Sequence, residues 1–337
     1  MLLLEGGTRL ARIHFPGITR PEQQHGGLWE YDRTKGWFNR RNATGTSPIG
    51  QGPDAALVTT NALGLRGADI GPKTPGTTRV LLVGDSFVFG VGLDEEHTLS
   101  ARLQRMLGAA GRPSEVLNLG VAGYSTDQEY VLFRELAERL APDVVVLVVC
   151  DNDFEGNTLD FAYRQYYKPR FRLGPEGSLV PDLPEAPPLS SPQRVKLWLG
   201  RNSNAWNMVR SRESSTAAVQ SVLDLFQVAV PHPSADDPVR LMEAFEKAFR
   251  DDARRLGASF VTFNTGHARE NTPLYHALRP LLREDGIAFL GMEGVLGEAR
   301  SREPERHWDF GADAHWNVDA TRLVASTLAG YLLSSAR

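Results

Sequence analysis

Apolar residues along the chain follow two periods that alternate. Arg79-Val-Leu-Leu-Val83 is a short apolar run closed by Gly84, which predicts a buried strand. Leu99, Leu103 and Leu107 then recur at helical spacing, and Glu115-Val-Leu-Asn-Leu119 reads as a second strand. Ser125 and Gln128 form a potential capping box for a helix that carries Leu132, Leu136 and Leu140 on one face. Asp143-Val-Val-Val-Leu-Val-Val149 is apolar at consecutive positions, as expected of a central parallel strand covered on both faces. After a long irregular stretch, Asp237-Pro238 supplies an N-cap and a first helical position. Leu241, Phe245, Phe249 and Leu256 follow as one stripe, and Gly257 stops the helix. Ser259–Phe263 and Gly286–Leu290 predict two further strands, and a last helix starting after Asn317 carries Leu323, Val324, Leu328 and Leu332. Strands alternating with helices predict an α/β fold: a five-stranded parallel sheet with helices on both sides.

Two stretches fall outside this alternation. Residues 1–78 read as an irregular lead-in packed on the core, with Trp29, Tyr31, Trp37 and Phe38 scattered among Gly and Arg. Residues 79–337 then form the main domain, interrupted at about 154–237 by an insertion rich in Pro, Ser and aromatics, with a weak helical signal near Val219–Val228. Within it, Tyr163-Arg-Gln-Tyr166-Tyr167-Lys168-Pro169 fits either the lining of a substrate cleft or an edge hairpin. In open parallel sheets ligands bind beyond the carboxyl ends of the strands, which is where the chemistry is to be sought.

Composition narrows the classes. At 337 residues, 41% hydrophobic and 23% charged, the chain has enough apolar material for a sizeable core. A formal net charge of −4 argues against bulk binding to nucleic acid or membrane surfaces. One cysteine, Cys150, excludes an internal disulfide framework and a Cys-rich zinc site. Met1-Leu-Leu-Leu meets Glu5 at once, so no signal-peptide core and no spanning helix is expected. The default expectation is a cytoplasmic protein, with an extracytoplasmic place open if an anchor precedes this sequence. The oligomeric state has no signature.

Four polar blocks stand out, three of them at strand ends. The first strand runs into Gly84-Asp85-Ser86-Phe87; Val88 stands where the nucleophile elbow of α/β-hydrolases requires glycine. The second runs into Asn118-Leu-Gly120-Val-Ala-Gly123-Tyr-Ser125 and the third into Cys150-Asp151-Asn152-Asp153. Asp313-Ala-His315-Trp-Asn317 precedes the last helix. Taken singly, these blocks also fit caps and turns. His14, His25, His97, His232, His267, His276 and His307 show no metal-ligand spacing, so neither a metal nor a cofactor is expected. A flavodoxin-like sheet whose Gly84–Gly90 turn cradles the phosphate of a flavin is the alternative from another class.

Together the four blocks resemble the SGNH (GDSL-type) hydrolase family, over roughly residues 79–153 and 258–335. Asn61-Ala-Leu-Gly-Leu-Arg66-Gly67 also resembles the lead-in of some bacterial members. The resemblance implies a flavodoxin-like three-layer sandwich and a serine esterase with Ser86 as nucleophile. It implies an oxyanion hole made of the Ser86 and Gly123 N–H groups and the Asn152 amide. Ester hydrolysis needs an attacker, a base and donors aimed at the developing oxyanion, and His315 can pass the serine proton to the leaving alcohol. Two positions depart from the family pattern. Cys150 fills a glycine position and is expected to be packed and inert, and Ala312 stands where the acid is usual. The acid is then Asp313, with Asp309 as second candidate. Asp85, Asp153, Tyr166 and Trp316 are candidates for substrate contact. The expected reaction removes an acyl group, acetyl first, from a carbohydrate or small acylated molecule. Acyl transfer at the same site, a lipase or thioesterase, and a non-catalytic carbohydrate-binding relative are the alternatives.

Overall fold

The computed structural model describes residues 28–47, 56–162, 166–182, 198, 203, 234–266, 273–311 and 313–335. Five strands, β1 (Thr78–Gly84), β2 (Ser114–Gly120), β3 (Val144–Val149), β4 (Ser259–Asn264) and β5 (Ala288–Gly291), pair in the order β2-β1-β3-β4-β5. Every pairing is parallel. This is the flavodoxin-like order, in which the chain winds outward in both directions from the β1/β3 boundary and leaves a crevice there. The register aligns the carboxyl ends: Gly84 lies opposite Gly120, Val83 opposite Leu147, and Asn264 opposite both Val149 and Gly291.

The helices are α1 (Ser86–Phe89), α2 (Leu99–Ala109), α3 (Thr126–Leu140), α4 (Asp151–Gly156), α5 (Pro238–Arg255), α6 (Pro273–Glu284), α7 (Met292–Arg302) and α8 (Val318–Ser334). Alternate strand residues feed two separate apolar cores. Leu81, Val83, Val145, Leu147 and Val149 pack with Phe133 of α3, Phe245 and Phe249 of α5 and Leu278 of α6. Val80, Leu82, Val144, Val146 and Val148 pack with Leu103 of α2, Leu296 of α7 and Val324 and Leu328 of α8. All six residues of β3 are buried, which accounts for its unbroken apolar run. The Ser125–Gln128 capping box opens α3, and Asp237 caps α5 by accepting from Val239 and Arg240 N–H. The α5 stripe ends earlier than the sequence suggested. The helix stops at Arg255, and Leu256 is partly exposed as its C-cap.

The lead-in is more ordered than its composition suggested. Trp29–Asp32 pairs with Gly36–Asn39, and Thr44–Thr46 with Leu57–Thr59, both antiparallel. In the insertion, Phe161–Ala162 pairs with Tyr166–Tyr167 and Arg170–Leu173 with Leu179–Asp182. The helix expected near Val219–Val228 lies outside the described residues. Among the described residues no helix is long and apolar enough to cross a membrane.

A buried acid in the helical layer gives the fold a pH-dependent component. Glu246 of α5 is fully buried, accepts from Thr262 Oγ1 of β4 at 2.5 Å, and is pushed up to about 8 by burial. The folded state therefore holds a proton that the unfolded chain releases. This contribution is complete below the ordinary glutamate pKa of 4.5 and is lost as pH rises through about 8. Glu246→Gln should flatten the decline in stability between pH 5 and 8, and at pH 8 be more stable than wild type by on the order of 2–4 kcal/mol. Denaturant titrations of both proteins across that range check it, and parallel pH profiles would exclude it.

Candidate active site

The site is assembled at the β1/β3 crevice. A pair of glycines lets the first turn settle on the sheet. A side chain at Gly84 would meet Val88 Cγ2 at 2.5 Å, and one at Gly120 would meet the Phe89 backbone nitrogen at 2.1 Å. Helix α1 therefore lies directly on the end of β2, with Ser86 as its first residue. Asp85 caps it by accepting from Phe87 N–H at 2.9 Å. At the other end, the buried Arg66 guanidinium donates to the carbonyls of Phe89, Gly90 and Leu93, and it also pairs with Glu95. The Ser86 turn is thus fixed at its start by Asp85 and at its end by Arg66, which reaches it from outside.

The loop between α7 and α8 brings the imidazole to this turn. His315 Nε2 lies 2.7 Å from Ser86 Oγ, and His315 Nδ1 lies 2.5 Å from Asp313 Oδ1. Asp313 Oδ1 also accepts from the His315 backbone N–H at 2.9 Å, so one oxygen orients both the residue and its ring. A carboxylate only accepts, so Nδ1 carries the ring proton and Nε2 is left to accept from the serine hydroxyl. Asp309 is used differently. Its Oδ1 accepts from Gly311 N–H at 2.9 Å while its backbone bridges Trp316, so it shapes the loop. Phe87 packs on the imidazole with ring centroids 4.8 Å apart and on Trp316 at the same separation.

The second and third blocks flank the serine. Tyr124 N–H returns to Val121 O at 3.2 Å, and Gly123 sits at φ 80, the signature of a type II turn with glycine at its third position. Asn152 is exposed in the first turn of α4. The topology therefore brings Ser86, Gly123 and Asn152 to the ends of three adjacent strands. Cys150 is buried, and burial first, then the charges of Asp85 and Asp153, push its thiol well up, as expected of an inert packed cysteine.

Three of the four residues expected to touch substrate do not face solvent. Asp85 is 2% exposed and is used in capping α1. Asp153 is fully buried and accepts from Cys150 N–H at 2.8 Å. Trp316 is 4% exposed, and its indole donates to Thr265 O at 3.1 Å. Their assignment is corrected to packing and turn formation, because each is buried and makes an internal hydrogen bond. Tyr166 lies in a short strand of the insertion, and its side chain is outside the described residues.

A further group was not anticipated. Asp85, Asp127, Glu129 and Asp153 form a buried acidic group behind the Ser86 turn, and Lys168 from the insertion is buried against Asp127. Glu129 is raised well above the ordinary glutamate range, first by burial and then by the charges of Asp153 and Asp85. Acids in a helix's first turn ordinarily read as surface residues, but Asn157, just past α4, and Lys168 of the insertion both reach Asp127. Among the described residues no three potential ligands converge to hold a metal ion. A groove of about 860 Å³ lined by His276, Arg279 and Phe289 lies along β5, three strands away from β1.

The arrangement joins a hydroxyl, an imidazole and a carboxylate in one hydrogen-bonded line at the sheet's carboxyl edge. The sequence profile of the GDSL-like Lipase/Acylhydrolase family matches residues 82–322. The chain belongs to this family, a class of carboxylic ester hydrolases. Among solved structures it is similar to a putative lipolytic protein of the G-D-S-L family from Desulfitobacterium hafniense DCB-2 (13% identity, 75% of this chain and 98% of that one, TM-score 0.40). It is similar to the acetyl xylan esterase AlAXEase (16% identity, 75% and 98% coverage, TM-score 0.41). It is also similar to the esterase EstA from Pseudoalteromonas sp. (10% identity, 77% and 98% coverage, TM-score 0.40). No curated protein matches it in sequence.

Proposed function

We propose that the protein is a serine esterase that works through an acyl-enzyme on Ser86, with His315 as general base and acid and Asp313 as the orienting carboxylate. The observation that carries this reading is the line from Ser86 Oγ through His315, with contacts of 2.7 and 2.5 Å. Ser86 Oγ attacks the ester carbonyl carbon as its proton passes to His315 Nε2. The tetrahedral oxyanion is met by the N–H groups of Ser86 and Gly123 and the Asn152 amide. The carbon–oxygen bond to the alcohol then breaks, and the imidazolium returns its proton to the departing oxygen. Water repeats the sequence on the acyl-serine and releases the acid.

For the substrate, the reading is a short acyl group, acetyl first, on a carbohydrate or small hydroxylated molecule. What supports it is the polar character of α4, which starts at the end of β3 beside β1. Asn152 and Glu155 are exposed and Asp151 is half-buried, while the neighbouring aromatics Phe87 and Trp316 are committed to packing. An activity panel of aryl esters from acetyl to long acyl chains tests this. The highest kcat/KM should fall on acetyl, and a maximum at long chains would move the protein to the lipases. Adding alcohols as acceptors separates hydrolysis from acyl transfer at the same serine.

The oxyanion donors carry their own prediction. Asn152→Ala should lower kcat by about 10²–10³ with KM little changed, since the contact strengthens mainly in the transition state. Kinetics and melting temperature on the same sample check it. Lowered stability with normal turnover would make Asn152 structural.

A further inference from the structure

The lead-in hairpin, which lies ahead of the matched family region, reaches the peptide that the proposed mechanism uses at Gly123. Trp37 is fully buried, and its indole Nε1 donates to Ala122 O at 3.1 Å. The Tyr124 hydroxyl donates back to Trp37 O at 2.5 Å, and the two rings meet edge to face at 5.4 Å. Ala122 C=O and Gly123 N–H are the two ends of one planar trans peptide, so they point in opposite directions. Holding the carbonyl therefore aims the N–H. Ala122–Gly123 is also the central peptide of the type II turn, and the type I alternative differs chiefly by turning that peptide over. An accepted hydrogen bond at the carbonyl further polarises the N–H at the far end.

We infer that Trp37 is a positioning residue for the oxyanion hole: its indole N–H fixes the Ala122–Gly123 peptide so that Gly123 N–H faces the developing oxyanion. This rests on the reading of Gly123 as an oxyanion donor. Residues 28–47 are then part of the catalytic unit. The same lead-in segment also supplies Ser47, whose hydroxyl accepts from Gly92 N–H at 2.6 Å, and it continues to Arg66 at the end of α1.

The test is Trp37→Phe, which keeps an aromatic ring and removes the donor. Three quantities are measured on the full chain: kcat and KM on an aryl acetate, melting temperature, and inhibition by an alkyl trifluoromethyl ketone, which adds Ser86 Oγ to form a tetrahedral oxyanion. The expected result is a fall of about tenfold in kcat per folded molecule, a matching loss of ketone affinity, and an unchanged KM. A merely structural tryptophan would lower the melting temperature and leave turnover and ketone binding of the folded protein within twofold, which would overturn the inference. If Trp37→Phe does not fold, Tyr124→Phe carries the test, because it releases the Trp37 carbonyl and keeps the indole; about a threefold loss in the same two readouts is expected. Asn152→Ala is measured in parallel. If it loses activity and ketone affinity while the Trp37 and Tyr124 variants do not, this inference alone fails. If none of them responds, the oxyanion reading fails and takes the inference with it.

Discussion

Ser86→Ala should fold normally and lose ester hydrolysis by about 10⁴-fold or more. The hydroxyl is only partly buried and its removal opens no core cavity, because the apolar residues of this turn, Phe87, Val88 and Phe89, are unchanged. Asp85 keeps its bond to Phe87 N–H, and Arg66 keeps its carbonyls at the far end of α1. What disappears is the hydroxyl oxygen that lies 2.7 Å from His315 Nε2. Melting temperature and kcat on one preparation separate the two effects. A variant that keeps a tenth of wild-type turnover would remove Ser86 from the mechanism.

The second large effect is expected at the carboxylate. Asp313→Asn should reduce kcat by about 10³–10⁴. The amide can still accept from the His315 backbone N–H and preserve the loop, but it cannot stabilise the imidazolium, and its NH₂ group favours the wrong ring tautomer. The control is Asp309→Asn. Asp309 accepts from Gly311 N–H, which an asparagine oxygen can also do, so turnover should stay near normal. Steady-state kinetics on both variants settle the assignment. Near-normal turnover in Asp313→Asn with collapse in Asp309→Asn would exchange the two roles.

The parts of the protein legible in the sequence are those whose signal is local. Residues 143–149 announce β3 because both faces of a central strand are buried, and Ser125 and Gln128 announce α3 because a capping box involves only neighbouring residues. The spacing of Asp313 and His315 suffices for their contact, since a short loop carries both. Helix α6 escaped notice because Pro280 interrupts its stripe, although Tyr275, Leu278 and Leu282 are buried along one side. Helix α7 buries only Met292 and Leu296 and so has little periodicity to read.

The direction in which a polar side chain turns was not legible. Asp85 and Asp153 look like the lip of a site because they follow strand ends, yet each turns inward to a backbone N–H. Trp37 and Arg66 showed the converse. Trp37 looks like a scattered lead-in residue and Arg66 like part of a short motif, but their partners, Ala122 and the Phe89–Leu93 carbonyls, lie 85 and 23–27 positions away in sequence. Contacts of that separation are set by packing and leave no periodic trace.

Acyl transfer through Ser86 leaves a covalent acyl-enzyme, and trapping it is the decisive experiment. Wild-type protein is mixed with excess aryl acetate, quenched in acid within the first turnovers, digested and mapped by mass spectrometry. One acetyl group per chain is expected, on the peptide containing Ser86, formed in a burst of aryl alcohol and absent from Ser86→Ala. Acetyl on a different residue, or steady hydrolysis with no covalent intermediate on Ser86 and no loss of rate in Ser86→Ala, would contradict acyl transfer through Ser86.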